Sequence, residues 1–159
     1  MTEIQRISKL FQDLYNGSPW LEVNLADTLK KITAEEAAKK IFPNWNSVWE
    51  ITNHIISWRL NVLQRVQGQA LVTPEDNYIV AIADTSTRAW NQTLMNLEDS
   101  QQKWLLLLTC FSEADLEKKY AANDMSFYEH ILGILQHDAY HLGQMVIMAK
   151  AIVSTKLHL

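Results

Sequence analysis

The chain has 159 residues, with 48% apolar and 20% charged residues, a net charge of −4, four glycines and three prolines. That length suits one domain with a real core, and the composition excludes a disordered chain and disfavours a many-stranded β fold. The lysines and arginines are scattered in pairs such as Lys30-Lys31 and Lys118-Lys119, without the basic stripe needed to neutralise phosphates, so no nucleic-acid partner is expected.

Cys110 is the only cysteine, so no internal disulfide can form. Met1 to Tyr15 mixes charge with apolar residues and carries no cleavage pattern, and no run reaches the roughly 18 apolar residues of a membrane span. A cytoplasmic protein with no membrane partner is expected.

Four long helical patterns follow one another. The first, about Thr2 to Tyr15, sets Ile4, Ile7, Phe11 and Leu14 on one stripe and stops at Asn16-Gly17. Thr33-Ala34-Glu35-Glu36 opens a short helix that Pro43 is expected to end. The second long pattern, about Val48 to Gln67, begins at the capping box Ser47-Val48-Trp49-Glu50 and carries Ile51, Ile55, Trp58 and Val62 at helical spacing. Gly68 to Asn77 is a loop. The third pattern runs from about Ser86 to Phe111, with Trp90, Leu94, Leu97, Trp104 and Leu108 on one side. Ser112 is placed as the cap of a short helix from Glu113 to Lys119. The fourth, about Phe127 to Val153, starts at the capping box Ser126-Phe127-Tyr128-Glu129 and is apolar over much of its circumference. These patterns predict one all-α domain over residues 1–159, a four-helix bundle with short extra helices in its connections.

Three of the five histidines fall on faces predicted to be buried. His54 lies between Ile51 and Trp58 on the stripe of the second helix. His137 and His141 share one seam of the fourth helix with His130, Ile134, Gln144 and Met148. Histidines four apart stack on one helix face, so both rings can reach one ion, and the backbone sets their spacing before metal arrives. A third ligand has to come from a facing helix, and His54 is the candidate on an apolar stripe. The plainer reading, three core histidines each satisfied by hydrogen bonds, would leave several imidazole nitrogens in need of partners. The expected site is therefore one divalent metal ion held by His54, His137 and His141, with zinc or nickel foremost among the candidates.

Ser47 to Trp58, with Asn53-His54, followed by His137-Asp138-Ala139-Tyr140-His141-Leu142-Gly143-Gln144, resembles the DinB-like superfamily. Gly17-Ser18-Pro19-Trp20 is similar to its subset of metal-dependent hydrolases and bacillithiol-transferase-like proteins. The resemblance covers about Tyr15 to Lys150. It implies a four-helix bundle, commonly a homodimer, with the metal on one histidine of the second helix and two of the last, which by position are again His54, His137 and His141. It also implies a small-molecule substrate and, in members of known activity, transfer of a low-molecular-weight thiol to an electrophile. The family name reports induction by DNA damage, which concerns expression.

Three neutral imidazoles leave an ion its full charge and an open position, where a water or thiol would lose a proton near neutral pH. Hydrolysis and thiol transfer both remain open on these ligands, as does a non-catalytic, metal-stabilised bundle that binds a partner. No catalytic side chain is identified. Candidate groups behind the ligands are Glu50, one turn before His54 and equally placed to serve only the cap; Asp138, expected more at the surface; and Gln144, equally placed to bond across the bundle. His130 reads as a partly exposed residue near a helix start. Cys110 reads as a hidden thiol in an apolar run.

Overall fold

A computed structural model describes residues 1–156, and seven helices account for the regular structure there: α1 (Glu3–Asn16), α2 (Leu25–Leu29), α3 (Ala34–Ala38), α4 (Val48–Arg65), α5 (Thr87–Cys110), α6 (Glu113–Leu116) and α7 (Phe127–Lys156). Among the described residues there is no strand, only an isolated bridge between Lys119 and Ser126. The four long helices pack in a ring: α1 lies beside α5 and α7, and α4 lies beside the same two. No described helix is long and apolar enough to cross a membrane.

Each long helix starts where a side chain can take up an orphan backbone N–H. Thr2 and Gln5 form a reciprocal capping box at α1, and Ser47 and Glu50 form one at α4. Ser86 Oγ accepts from Ala89 N at 3.2 Å before α5, and Ser126 and Glu129 exchange bonds of 2.7 and 3.1 Å at α7. The apolar stripes then meet in one core. Ile7, Phe11, Ile55, Leu97, Trp104, Leu108, Ile131 and Leu142 are all essentially inaccessible, and the Phe11 and Trp104 rings stack at 5.0 Å.

Two connections differ from the sequence reading. α3 ends at Ala38, with Lys39 already extended (φ −72°, ψ 128°), so the helix stops well before Pro43. α2, with Asn24 Oδ1 accepting from Asp27 N at 2.8 Å, escaped the reading because five residues are too short to show a period. α6 is also shorter than expected, because Lys119 turns into the bridge with Ser126.

A buried polar chain crosses this core. Gln101 on α5 donates to Phe11 O on α1 at 3.1 Å and accepts from Arg59 Nη1 on α4 at 3.0 Å. Arg59 Nε donates to Asp138 Oδ2 on α7 at 2.7 Å, and both side chains are fully buried. All four long helices are thus joined by one run of hydrogen bonds. Truncating either charge would leave the other uncompensated, a loss of about 3–5 kcal/mol.

Candidate metal centre

α4 and α7 bring His54, His137 and His141 together. One ring nitrogen from each falls within 4.8 Å of the others, and ring centroids are 4.4–4.9 Å apart. His54 is buried, while His137 keeps 24% of its side chain exposed and His141 is half-buried, so the cluster opens toward solvent on the α7 side. Among the described residues no fourth histidine, cysteine or carboxylate joins the group.

The hydrogen bonds fix which nitrogens converge. His54 Nδ1 lies 2.7 Å from the Asn77 carbonyl oxygen, which can only accept, so Nδ1 carries the proton and Nε2 the lone pair. His141 Nδ1 lies 2.7 Å from Gln144 Oε1, which leaves its Nε2 free in the same way. His54 Nε2 faces His137 Nε2 at 3.0 Å. Imidazole nitrogens brought this close, two of them with assigned lone pairs, fit a shared cation.

Burial sets the protonation. Desolvation pushes the His54 imidazole below its ordinary pKa, opposed by the bond to Asn77. Burial lowers His141 to about 4, against the Gln144 bond and with help from its histidine neighbours. Both rings are accordingly neutral at physiological pH, the form that ligates metal.

The loop between α4 and α5 holds the His54 acceptor in place. Asn77 and Tyr78 both take left-handed backbone (φ 51° and 60°), tolerable for Asn and less so for Tyr. Asn77 Oδ1 accepts from Trp58 Nε1 at 3.0 Å, Tyr78 OH accepts from Asn61 Nδ2 at 2.7 Å, and the Tyr78 ring packs edge-on to Trp58 at 5.7 Å. Trp58 in turn stands 6.0 Å from the His137 ring and walls one side of the cluster. Gln144 borders a cavity of about 270 Å³ shared with Trp45, Ile51 and Ile147.

The other residues singled out in the sequence fall differently. Glu50 does not reach His54: its Oε2 accepts from Ser47 N at 2.7 Å and its Oε1 pairs with Lys40 at 3.2 Å, so both oxygens serve the start of α4. Gln144 touches His141 and also donates to Tyr140 OH at 3.0 Å, with Tyr140 itself 63% exposed. Asp138 is not at the surface but fully buried against Arg59. His130 is buried at 6% exposure against Tyr120 and stays outside the cluster. Cys110 is exposed rather than hidden, because it lies two residues past the inward-facing Leu108 and so turns away from the core. Arg59 was not singled out at all, since an arginine on a helix reads by default as solvated.

The family model described as DinB superfamily matches residues 20–145, a span that includes all three clustered histidines. No curated protein and no solved structure matches the chain. With four-fifths of its length inside that match, and with one histidine on α4 facing two on α7, this chain belongs to the DinB superfamily.

Proposed function

We propose that the chain binds one divalent metal ion, zinc or nickel, through Nε2 of His54, His137 and His141, and acts as a metal-dependent enzyme. The observation that carries this reading is the convergence of the three rings, with two Nδ1 protons tied back to Asn77 O and Gln144 Oε1. When bound, the ion supplies Lewis acidity that makes a water or a thiol nucleophilic near neutral pH. The side chains do the rest: Asn77 and Gln144 hold two rings in the ligating tautomer, Trp58 walls the site, and the exposed edge of His137 leaves access. The absence of a fourth protein ligand among the described residues supports an open coordination position.

Transfer of a low-molecular-weight thiol to an electrophile stands ahead of hydrolysis, on the resemblance to family members of known activity. A homodimer belongs to the same reading and rests on that resemblance, whereas a cytoplasmic location rests on the single cysteine, Cys110, and its inability to form an internal disulfide. A purely structural ion is disfavoured because the core and the buried chain from Phe11 to Asp138 already join the four long helices.

Elemental analysis of the purified protein tests the site. About one metal equivalent is expected, lost in a His137→Ala, His141→Ala variant. Thiol transfer or ester cleavage that depends on this metal would establish the enzyme. Metal-free protein after incubation with zinc and nickel would refute the reading, and unfolding on chelation would make the ion structural.

A further inference from the structure

His137 is the ligand for which no hydrogen bond behind the ring has yet been described. Its Nδ1 is buried and has no hydrogen-bond partner, and the same holds for Asp138 Oδ1. These two orphan atoms face each other at 3.7 Å, just beyond hydrogen-bond reach. The other oxygen of the same carboxylate is fixed by Arg59 at 2.7 Å, and Arg59 is itself anchored by Gln101. Asp138 directly follows His137, so on α7 its side chain leaves the metal seam by about 100° and turns into the core beside α4.

We propose that Asp138, held by Arg59, is the positioning residue for His137: its Oδ1 accepts a hydrogen bond from Nδ1–H when Nε2 engages the metal, and so fixes the ring toward the ion. The inference rests on the metal reading above. A ring whose Nε2 coordinates a cation must carry its proton on Nδ1, and that proton is then a stronger donor. A buried, charged acceptor within a small side-chain rotation is the partner it lacks. The site would then have one acceptor behind each ligand: a loop carbonyl for His54, an amide for His141 and a carboxylate for His137. Arg59 acts one step further back. Without it the carboxylate has no fixed orientation, and its second oxygen would be free to turn away from the ring.

The test compares zinc and cobalt binding by the unsubstituted protein, Asp138→Asn, and the double variant Arg59→Met, Asp138→Leu, by competition with a chromophoric chelator. The double variant removes both charges together and keeps the bundle testable if the single variant fails to fold. Expected is a loss of about ten- to a hundredfold in affinity in whichever variants fold, with an altered cobalt absorption spectrum. In the zinc-loaded unsubstituted protein, the His137 Nδ1 proton should give a downfield resonance protected from exchange. Parent affinity and an unchanged cobalt spectrum in a folded variant would overturn the role of Asp138 while leaving the metal site standing. So would a His137 proton that exchanges like an exposed imidazole. An unsubstituted protein that binds neither probe would overturn the metal reading and this inference together.

Discussion

Glu50→Ala separates a helix cap from a metal support. Glu50 is 3% exposed and sits one turn before His54, yet its two oxygens bond Ser47 N and Lys40 Nζ. Removing the side chain leaves the Ser47 N–H, on a residue with no accessible surface, without an acceptor, which costs about 1–3 kcal/mol. The half-exposed Lys40 pair adds about 0–1 kcal/mol. Ser47 Oγ still caps the N–H of residue 50, so that part of the box survives. The sum is a loss of about 1–4 kcal/mol, which for a chain of this size lowers Tm by roughly 2–16 °C. Urea and thermal unfolding of the metal-free protein read this directly, and zinc affinity is measured beside it. Affinity should stay within about twofold of the parent, because both Glu50 oxygens bond groups outside the cluster and the His54 Nδ1 proton is held by Asn77 O instead. A tenfold loss of affinity with a stability change below about 0.5 kcal/mol would refute the assignment and return Glu50 to the metal's support.

Gln144→Leu should behave in the opposite way. His141 loses the acceptor for Nδ1, so zinc affinity falls about tenfold, while Tm changes little because the amide is only partly buried. Unchanged affinity would show that Gln144 serves Tyr140 rather than the ligand. In the metal-free protein, ring resonances should place the His141 titration near pH 4, well below an ordinary histidine. Because the unfolded chain takes up that proton first, stability is complete above about pH 6.5 and declines as pH falls from there toward 4. A His141 midpoint near 6.5 would contradict the burial on which its neutrality rests.

The histidine cluster was legible because its signal is local and periodic. His137 and His141 are one turn apart on a helix, and His54 interrupts an apolar stripe, so each announces a buried imidazole. The groups behind them were not legible to the same degree. The His54 acceptor is a backbone carbonyl in a loop, which no side chain marks. Asp138 was expected at the surface because its partner, Arg59, lies 79 positions away and carries a charge that pattern reading assigns to solvent. Long-range pairing of this kind leaves no periodic trace. Cys110 shows the converse error: the apolar run Trp104–Phe111 around it suggests a hidden thiol, although a helix can turn only part of such a run inward, and Leu106 is 67% exposed.

Fold and site are coupled through the register of α7 against α4. His54 meets His137 at 3.0 Å on one side of that contact, and Arg59 meets Asp138 at 2.7 Å on another. A slip of one helical turn, about 5.4 Å, would break both at once. The ion pair discriminates strongly, because a slipped Arg59 would be a buried cation without its carboxylate. The pair therefore excludes the neighbouring register, and in the register it selects, the three imidazoles face one another.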